Sequence, residues 1–303
     1  MKHSTGPSRR TVVTAICLVP LAGCTRENAT ATVESHSALS LIFEDIENRS
    51  GGRIGVAVLD TDTGRSAGHR ADERFAVCST FKWLLAAAVL RRVESGDERL
   101  DRLITYTADD LVFYSPVTED HTDTGMTVEA LCSATVRTSD NTAANLLLDT
   151  MGGPDGFTAI VREFGDTETR LDRYEPEMNE NLPGDPRDTS TPRAMLETMN
   201  RLLFGDVLST ESRELLRGWM IAASTGMRRL RAGLPDGWIA GDKTGTSSND
   251  QSNDAAFAYP VSPEERGPLL IVSYLNVPGP TERTTDAFHA EIARAVTVEF
   301  GLA

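Results

Sequence analysis

The chain is poor in histidine, cysteine, basic residues and long apolar runs, and each scarcity closes off a class of function. Its five histidines, His3, His36, His69, His121 and His289, form neither an H-x-H nor an H-E-x-x-H pair. No zinc ligand set is therefore visible, and no metal or other cofactor is expected. Lysine and arginine total 30 against 45 acids, a formal charge of −15. Phosphate recognition needs a basic footprint, so nucleic acid is excluded as a partner, and the acidic balance reads as a heavily solvated surface. Beyond the N-terminus no apolar run is long enough to span a bilayer. Of four cysteines, Cys17 and Cys24 fall in an N-terminal leader; Cys78 and Cys132 remain, and sequence alone does not say whether they pair. What is left is an ordinary globular composition, 40% hydrophobic and 25% charged over 303 residues. That is enough for one large domain or two interlocked ones.

The leader is a targeting segment. Arg9-Arg10 precede the apolar stretch Thr11 to Pro20, which reads as a signal peptide over residues 1–23. Ser8-Arg9-Arg10 also fits a twin-arginine signal. Leu21-Ala22-Gly23-Cys24 resembles a bacterial lipobox with Cys24 as the lipidated residue; a plain secretory cleavage is the alternative. The segment holds Lys2, Arg9 and Arg10 and no acid, so its removal takes the charge from −15 to −18. Residues 24–36, polar and Thr-rich, form a tether. The expected product is exported, either lipid-anchored at the membrane or secreted, and monomeric.

Ser37 to Asn48 has helical periodicity, with Leu39, Ile42, Phe43 and Ile46 on one face, and Gly51-Gly52 stops it. Ile54 to Leu59 is strand-like, and Asp60-Thr61-Asp62-Thr63-Gly64 is turn chemistry that predicts a hairpin. Ser79 to about Trp219 is mostly helical. Trp238–Asp242, Ala255–Tyr259 and Leu269–Asn276 read as short strands, and Asp286–Phe300 as an amphipathic closing helix. Strands near both ends with helices between them predict one sheet built from both chain ends and a helical domain inserted within it. Gly64-Arg65-Ser66-Ala67-Gly68 matches the G-x-S-x-G nucleophile elbow, but that motif needs a strand before it and a helix after it. Here it lies in a polar hairpin, and it reads as a turn.

The stretch CSTFKWLLAAAVL, Cys78 to Leu90, holds one lysine, Lys82, in an otherwise apolar helical run. A buried ammonium is costly unless it is compensated or its pKa falls. Ser79, three residues earlier, shares its helical face. A serine there is most often only a cap, which explains Ser79 but not Lys82. The pair has company. Ser139-Asp140-Asn141 lies downstream and Lys243-Thr244-Gly245 further on, completing the set S-x-x-K, S-D-N and K-T-G of class A β-lactamases and penicillin-binding proteins. Arg173-Tyr174-Glu175-Pro176-Glu177-Met178-Asn179 resembles the start of the omega loop that only the β-lactamases of this pair possess, with Asp188 near its other end. Leu111 to Thr118 resembles the loop that bears an aromatic gatekeeper, Tyr114. From residue 37 to 303 the chain resembles a class A serine β-lactamase.

That resemblance implies an α/β (α+β) fold, a five-stranded antiparallel sheet flanked by N- and C-terminal helices with an inserted all-helical domain. Residues 37–78 and 220–303 would form the α/β domain, and 79–219 the helical domain, including an omega loop over about 170–188. It implies hydrolysis of penicillins and cephalosporins through an acyl-enzyme on Ser79. The base is either Lys82 or Glu175 acting through a water. The backbone N–H groups of Ser79 and Thr246 would hold the oxyanion. Ser139 would protonate the leaving nitrogen, and Lys243 would hold Ser139 and attract the substrate carboxylate. Asn141 would bind the substrate side-chain amide, Asn179 would position the deacylating water, and Thr244 and Gly245 would line the substrate strand. Asp140 is structural, and Arg173 and Asp188 would clamp the omega loop. The arginine many relatives place after K-T-G is missing from Ser247 to Asp254; Arg229 matches the position that supplies it in an actinobacterial subgroup. Two disulfides known in the family lack a partner here. Ala86 stands where one would reach Cys132, and Ser247 where another would reach Cys78. The competing reading is a β-lactam sensor or penicillin-binding protein that acylates without turnover.

Overall fold

The computed structural model describes residues 38–261, 266–279 and 281–302. The signal peptide, the tether and Cys24 lie outside them. Helix α1, Ala38–Ser50, buries Leu39, Phe43 and Ile46 on one face and ends where Gly51 turns at positive φ. Strand β1, Arg53–Asp60, follows and folds back through the polar turn onto β2, Ser66–His69. The G-x-S-x-G match spans that turn and the start of β2.

A two-residue strand, β3 at Phe75–Ala76, leads to the nucleophile turn and then to α2, Phe81–Ser95. Every residue of α2 from Phe81 to Leu90 is buried, so the helix is the spine of the inserted segment rather than a surface helix. Around it lie the short hairpin partners β4, Leu103–Ile104, and β5, Met126–Thr127, then α3, Val128–Arg137, α4, Asn141–Asp149, and α5, Gly153–Glu163. Strand β6, Thr189–Ser190, pairs with β3 and closes a long loop over residues 170–188. Helices α6, Pro192–Leu203, and α7, Thr210–Ile221, complete the segment. Polar caps start several of these helices: Thr127 on α3, Asp140 on α4, Thr191 on α6 and Ser209 on α7 each accept a backbone N–H from the first turn.

The chain then returns to the sheet with β7, Trp238–Thr246, β8, Gln251–Pro260, and β9, Leu269–Asn276, and ends in α8, Glu282–Glu299. The five strands run in the order β2-β1-β9-β8-β7, every pair antiparallel. The central pair joins distant parts of the chain, from Arg53 opposite Asn276 to Asp60 opposite Leu269. One face of the sheet packs on α1 and α8 through Phe43, Ile46, Ile292 and Val296; the other packs Phe257 and Tyr274 into the core built around α2. The anticipated sheet and inserted helical region are present. Strand β7 runs past Asp242, where the pattern stops, and carries Lys243-Thr244-Gly245 paired with β8, so the motif lies on a strand as expected. Helix α8 starts earlier than expected, at Glu282. Cys78 and Cys132 are both buried and free.

Candidate active site

Cys78–Thr80 form a single tight turn ahead of α2, entered by Cys78 at a φ of 44°. The turn places Ser79 at the mouth of a cleft of about 800 Å³, while Lys82, one turn later, points into the interior and is fully buried. Lys82 Nζ donates to Asn141 Oδ1 and to the Ser139 carbonyl at 2.8 Å, and lies 3.0 Å from Glu175 Oε1. These partners account for a buried ammonium. Burial pushes its pKa down, and the charge of Glu175 pulls against that.

Glu175 is 2% exposed. Its Oε1 accepts from Ser79 Oγ at 3.3 Å and its Oε2 from Asn179 Nδ2 at 2.5 Å. Asn145 on α4 fixes the backbone beneath it, donating to the Glu175 carbonyl at 2.8 Å and accepting the Glu175 N–H at 3.0 Å. The omega loop is tied at its base by Asp188, which is fully buried at a φ of 55°. Asp188 Oδ2 accepts from Arg173 Nε at 2.6 Å, and Oδ1 accepts the N–H groups of Asp172 and Arg173 at 2.7 and 3.0 Å. Its carbonyl accepts the N–H of Val77 at 2.9 Å, which ties the loop to the nucleophile turn.

Across the cleft, Ser139 sits between α3 and α4 at a φ of 65°. Lys243 Nζ donates to its Oγ at 3.1 Å and to the Thr244 carbonyl at 2.7 Å. Lys243 is fully buried; burial and then the nearby charge of Lys82 bring its pKa down to about 7. Asp140 carries no chemistry here. It caps α4 and accepts from Thr118 Oγ1 and from the N–H groups of Val117 and Thr118, anchoring the gatekeeper loop. Asn141 Nδ2 donates to the Phe113 carbonyl at 2.8 Å, and its N–H to the Tyr114 carbonyl at 3.0 Å. Tyr114 is half-exposed at the rim, at a φ of 66°.

Strand β7 lies hard against the nucleophile turn. A Cβ at Gly245 would stand 3.0 Å from the backbone nitrogens of Ser79 and Thr80, so a residue without a side chain is required for that approach. Thr246 follows at the cleft wall, and Thr244 Oγ1 donates to Thr225 Oγ1 at 2.7 Å. Arg229 reaches the same wall from the segment after α7. It donates from Nη2 to Thr246 Oγ1 at 2.8 Å and from Nη1 to the carbonyls of Asn253 and Gly245 at 2.7 and 3.1 Å, while Nε holds Asp286 at 2.9 Å. Its neighbours point elsewhere. Arg228 is exposed and pairs with Asp286, and Arg231 is bonded to Asp242.

The cleft thus brings together every residue that sequence reading nominated for substrate or chemistry, the two lysines standing just behind its wall. Sequence reading missed Asn145, Thr225, Phe113 and Asp286. Asn145 had a signal: it falls four residues after Asn141, on the same face of the same helix. Thr225 and Phe113 depend on loop paths, and Asp286 on how α8 packs, none of which any spacing encodes.

A serine held by a carboxylate that is itself paired with a buried lysine, facing a second serine held by a second lysine, defines a serine acyl-transfer site that works through a covalent ester. Residues 38–300 match the beta-lactamase enzyme family, and the chain belongs to that family. It is 42% identical over 292 residues to Beta-lactamase AST-1 of Nocardia asteroides, covering 95% of this chain and 93% of that protein. It is 45% identical over 254 residues to Beta-lactamase FAR-1 of Nocardia farcinica, covering 84% and 80%. Among solved structures, the last common ancestor of Gram-negative bacteria (GNCA4) beta-lactamase class A superposes with a TM-score of 0.84 at 56% identity, over 87% of this chain and 100% of that one.

Proposed function

We propose that the protein hydrolyses the β-lactam ring of penicillins and cephalosporins through an ester on Ser79, conferring resistance to them. The observation that carries this reading is the setting of Glu175. One oxygen meets the nucleophile and Lys82, and the other meets Asn179. A protein that only traps β-lactams has no use for a positioned carboxylate beside its ester.

Ser79 Oγ attacks the ring carbonyl and gives up its proton. Its side-chain hydrogen bond runs to Glu175 rather than to Lys82, which favours Glu175 as the acceptor, directly or through a water. Negative charge on the carbonyl oxygen falls to the N–H groups of Ser79 and Thr246. The C–N bond breaks, Ser139, hydrogen-bonded to Lys243, protonates the departing nitrogen, and the proton on Glu175 passes through Lys82 to Ser139, which restores the Glu175 carboxylate. A water held by Asn179 then loses its proton to Glu175, attacks the ester, and releases the ring-opened acid as Ser79 recovers its proton. Arg229 and Lys243 supply the positive potential for the substrate carboxylate, Asn141 offers an N–H to its side-chain amide, and Tyr114 walls the cleft. Upstream, we assign Cys24 as a lipid-bearing residue after export.

The test separates turnover from trapping. General-base assistance contributes about 10²–10⁴-fold, so Glu175→Ala should react with benzylpenicillin and stall. Intact-protein mass spectrometry should show one added penicillin persisting far longer than on wild type, and Ser79→Ala should show none. A wild type that keeps the adduct indefinitely would make the protein a binder; normal turnover by Glu175→Ala would remove Glu175 from the mechanism.

A further inference from the structure

Two fully buried carboxyls, Asp242 on β7 and Asp254 on β8, take no part in the chemistry above. The strand register sets them together: Asp242 stands opposite Ala256 and Thr244 opposite Asp254, so the two acids are diagonal neighbours on one face of the sheet. Their carboxyls are placed so that one can hydrogen-bond the other once either carries a proton. Each has one oxygen satisfied elsewhere. Asp242 Oδ1 accepts from Arg231 Nε, and Asp254 Oδ2 accepts the N–H of Leu230 at 3.1 Å. The remaining two oxygens, Asp242 Oδ2 and Asp254 Oδ1, are buried with no donor. Gly226 packs against the first of them so closely that a Cβ there would lie 1.6 Å from it. Ionised carboxylates only accept hydrogen bonds, so two in contact need a proton between them.

We infer that Asp254 is a buried, protonated acid whose O–H donates to Asp242, and that this shared proton ties the sheet to the 225–233 segment that carries Arg229 into the cleft. Asp254 holds the proton because Asp242 already has Arg231 bonded to it, whereas Asp254 has no ion pair among the described residues. The charged groups that face the pair come from three parts of the chain. Arg231 and Arg229 come from the 225–233 segment and Lys243 from β7. From α8, Asp286 is spent on Arg229 and Arg228, Glu282 lies 3.9 Å from Arg229, and His289 is held neutral by its burial. Burial, and then the charge of Asp242, hold the Asp254 carboxyl well above the usual range.

The first half of the inference is independent of the proposed role of Arg229; the second half rests on it. Three measurements on the full-length enzyme test them. The infrared difference spectrum of wild type minus Asp254→Asn at neutral pH should show a protonated-carboxyl band; its absence would overturn the shared proton. Because the folded state would keep a proton that the unfolded chain releases, wild-type stability should fall as pH rises above the ordinary carboxylate range. Asp254→Asn, whose amide can donate as the acid does, should lack that fall and gain in Tm relative to wild type from pH 4 to pH 8. Equal pH slopes would count against the proton. Asp254→Ala should raise KM for benzylpenicillin about tenfold with a smaller change in kcat, and Asp254→Asn should restore it. If both variants keep the wild-type KM, the proton does not position the segment. If Asp254→Ala raises KM while Arg229→Ala does not, the failure belongs to the reading of Arg229.

Discussion

At the residue scale, the sharpest consequence concerns Lys243. Its ammonium is needed for positive potential at the cleft, yet burial and Lys82 hold it near neutrality, at about 7. The folded pKa lies below that of a free lysine, so the uncharged form gains on folding and stability falls as pH drops from the free-lysine value toward 7. Activity moves the other way. For carboxylate-bearing substrates, kcat/KM should fall as pH rises through about 7, since that ratio reports the free enzyme. Lys243→Arg, which stays charged, should shift the limb upward; a pH profile of kcat/KM for both enzymes checks it. Arg229→Ala should lower kcat/KM for such substrates about ten- to hundredfold, because a charge-assisted hydrogen bond contributes about 1.5–3 kcal/mol. Steady-state kinetics should show a smaller loss for the exposed Arg228→Ala. The chemistry-bearing side chains were legible because three short motifs each carry their own local geometry. Lys82 announced itself as a charge in an apolar helix. Asp242 and Asp254 did not, since their contact exists only once β7 and β8 are in register.

At the scale of elements, the omega loop depends on one carboxylate. Asp188 accepts Arg173, two loop N–H groups and, through its carbonyl, reaches the turn that holds Ser79. Removing one partner of such a buried pair costs about 3–5 kcal/mol. Asp188→Asn should therefore release Glu175 from its position and lower the deacylation rate before it unfolds the rest, which pre-steady-state kinetics would show as a burst followed by slow turnover. The two terminal helices and the long strands were readable to within a few residues, whereas Ser79 to Trp219 was readable only as mostly helical. Strands β3 and β6 were not, because two-residue strands have no period to read; tertiary pairing alone creates them. The end of β7 came from the K-T-G motif rather than from periodicity, for a related reason. Thr244, Gly245 and Thr246 lack the apolar alternation of a strand, and their pairing partners Asp254, Asn253 and Ser252 are equally polar.

At the scale of the whole molecule, no described helix is long and apolar enough to cross a membrane, and the attachment proposed above runs through Cys24. A diacylglycerol supplies two chains at once, and two chains are what stable anchoring requires. Cys24→Ala should leave hydrolysis intact in cell extracts and move the activity out of the membrane fraction; equal fractionation of the two proteins would reject the anchor. Finally, β1 finds its central partner β9 only after more than two hundred intervening residues have been laid down, from Arg53 opposite Asn276 onward. Bringing such distant strands together is the slow step of assembly, because the closure entropy precedes any reward from pairing. A ribosome releases this chain from its N-terminus, so the sheet is still missing its middle while most of the polypeptide is already made. The order of the strands in the chain therefore acts as a timer: the central pairing cannot close until synthesis is almost over.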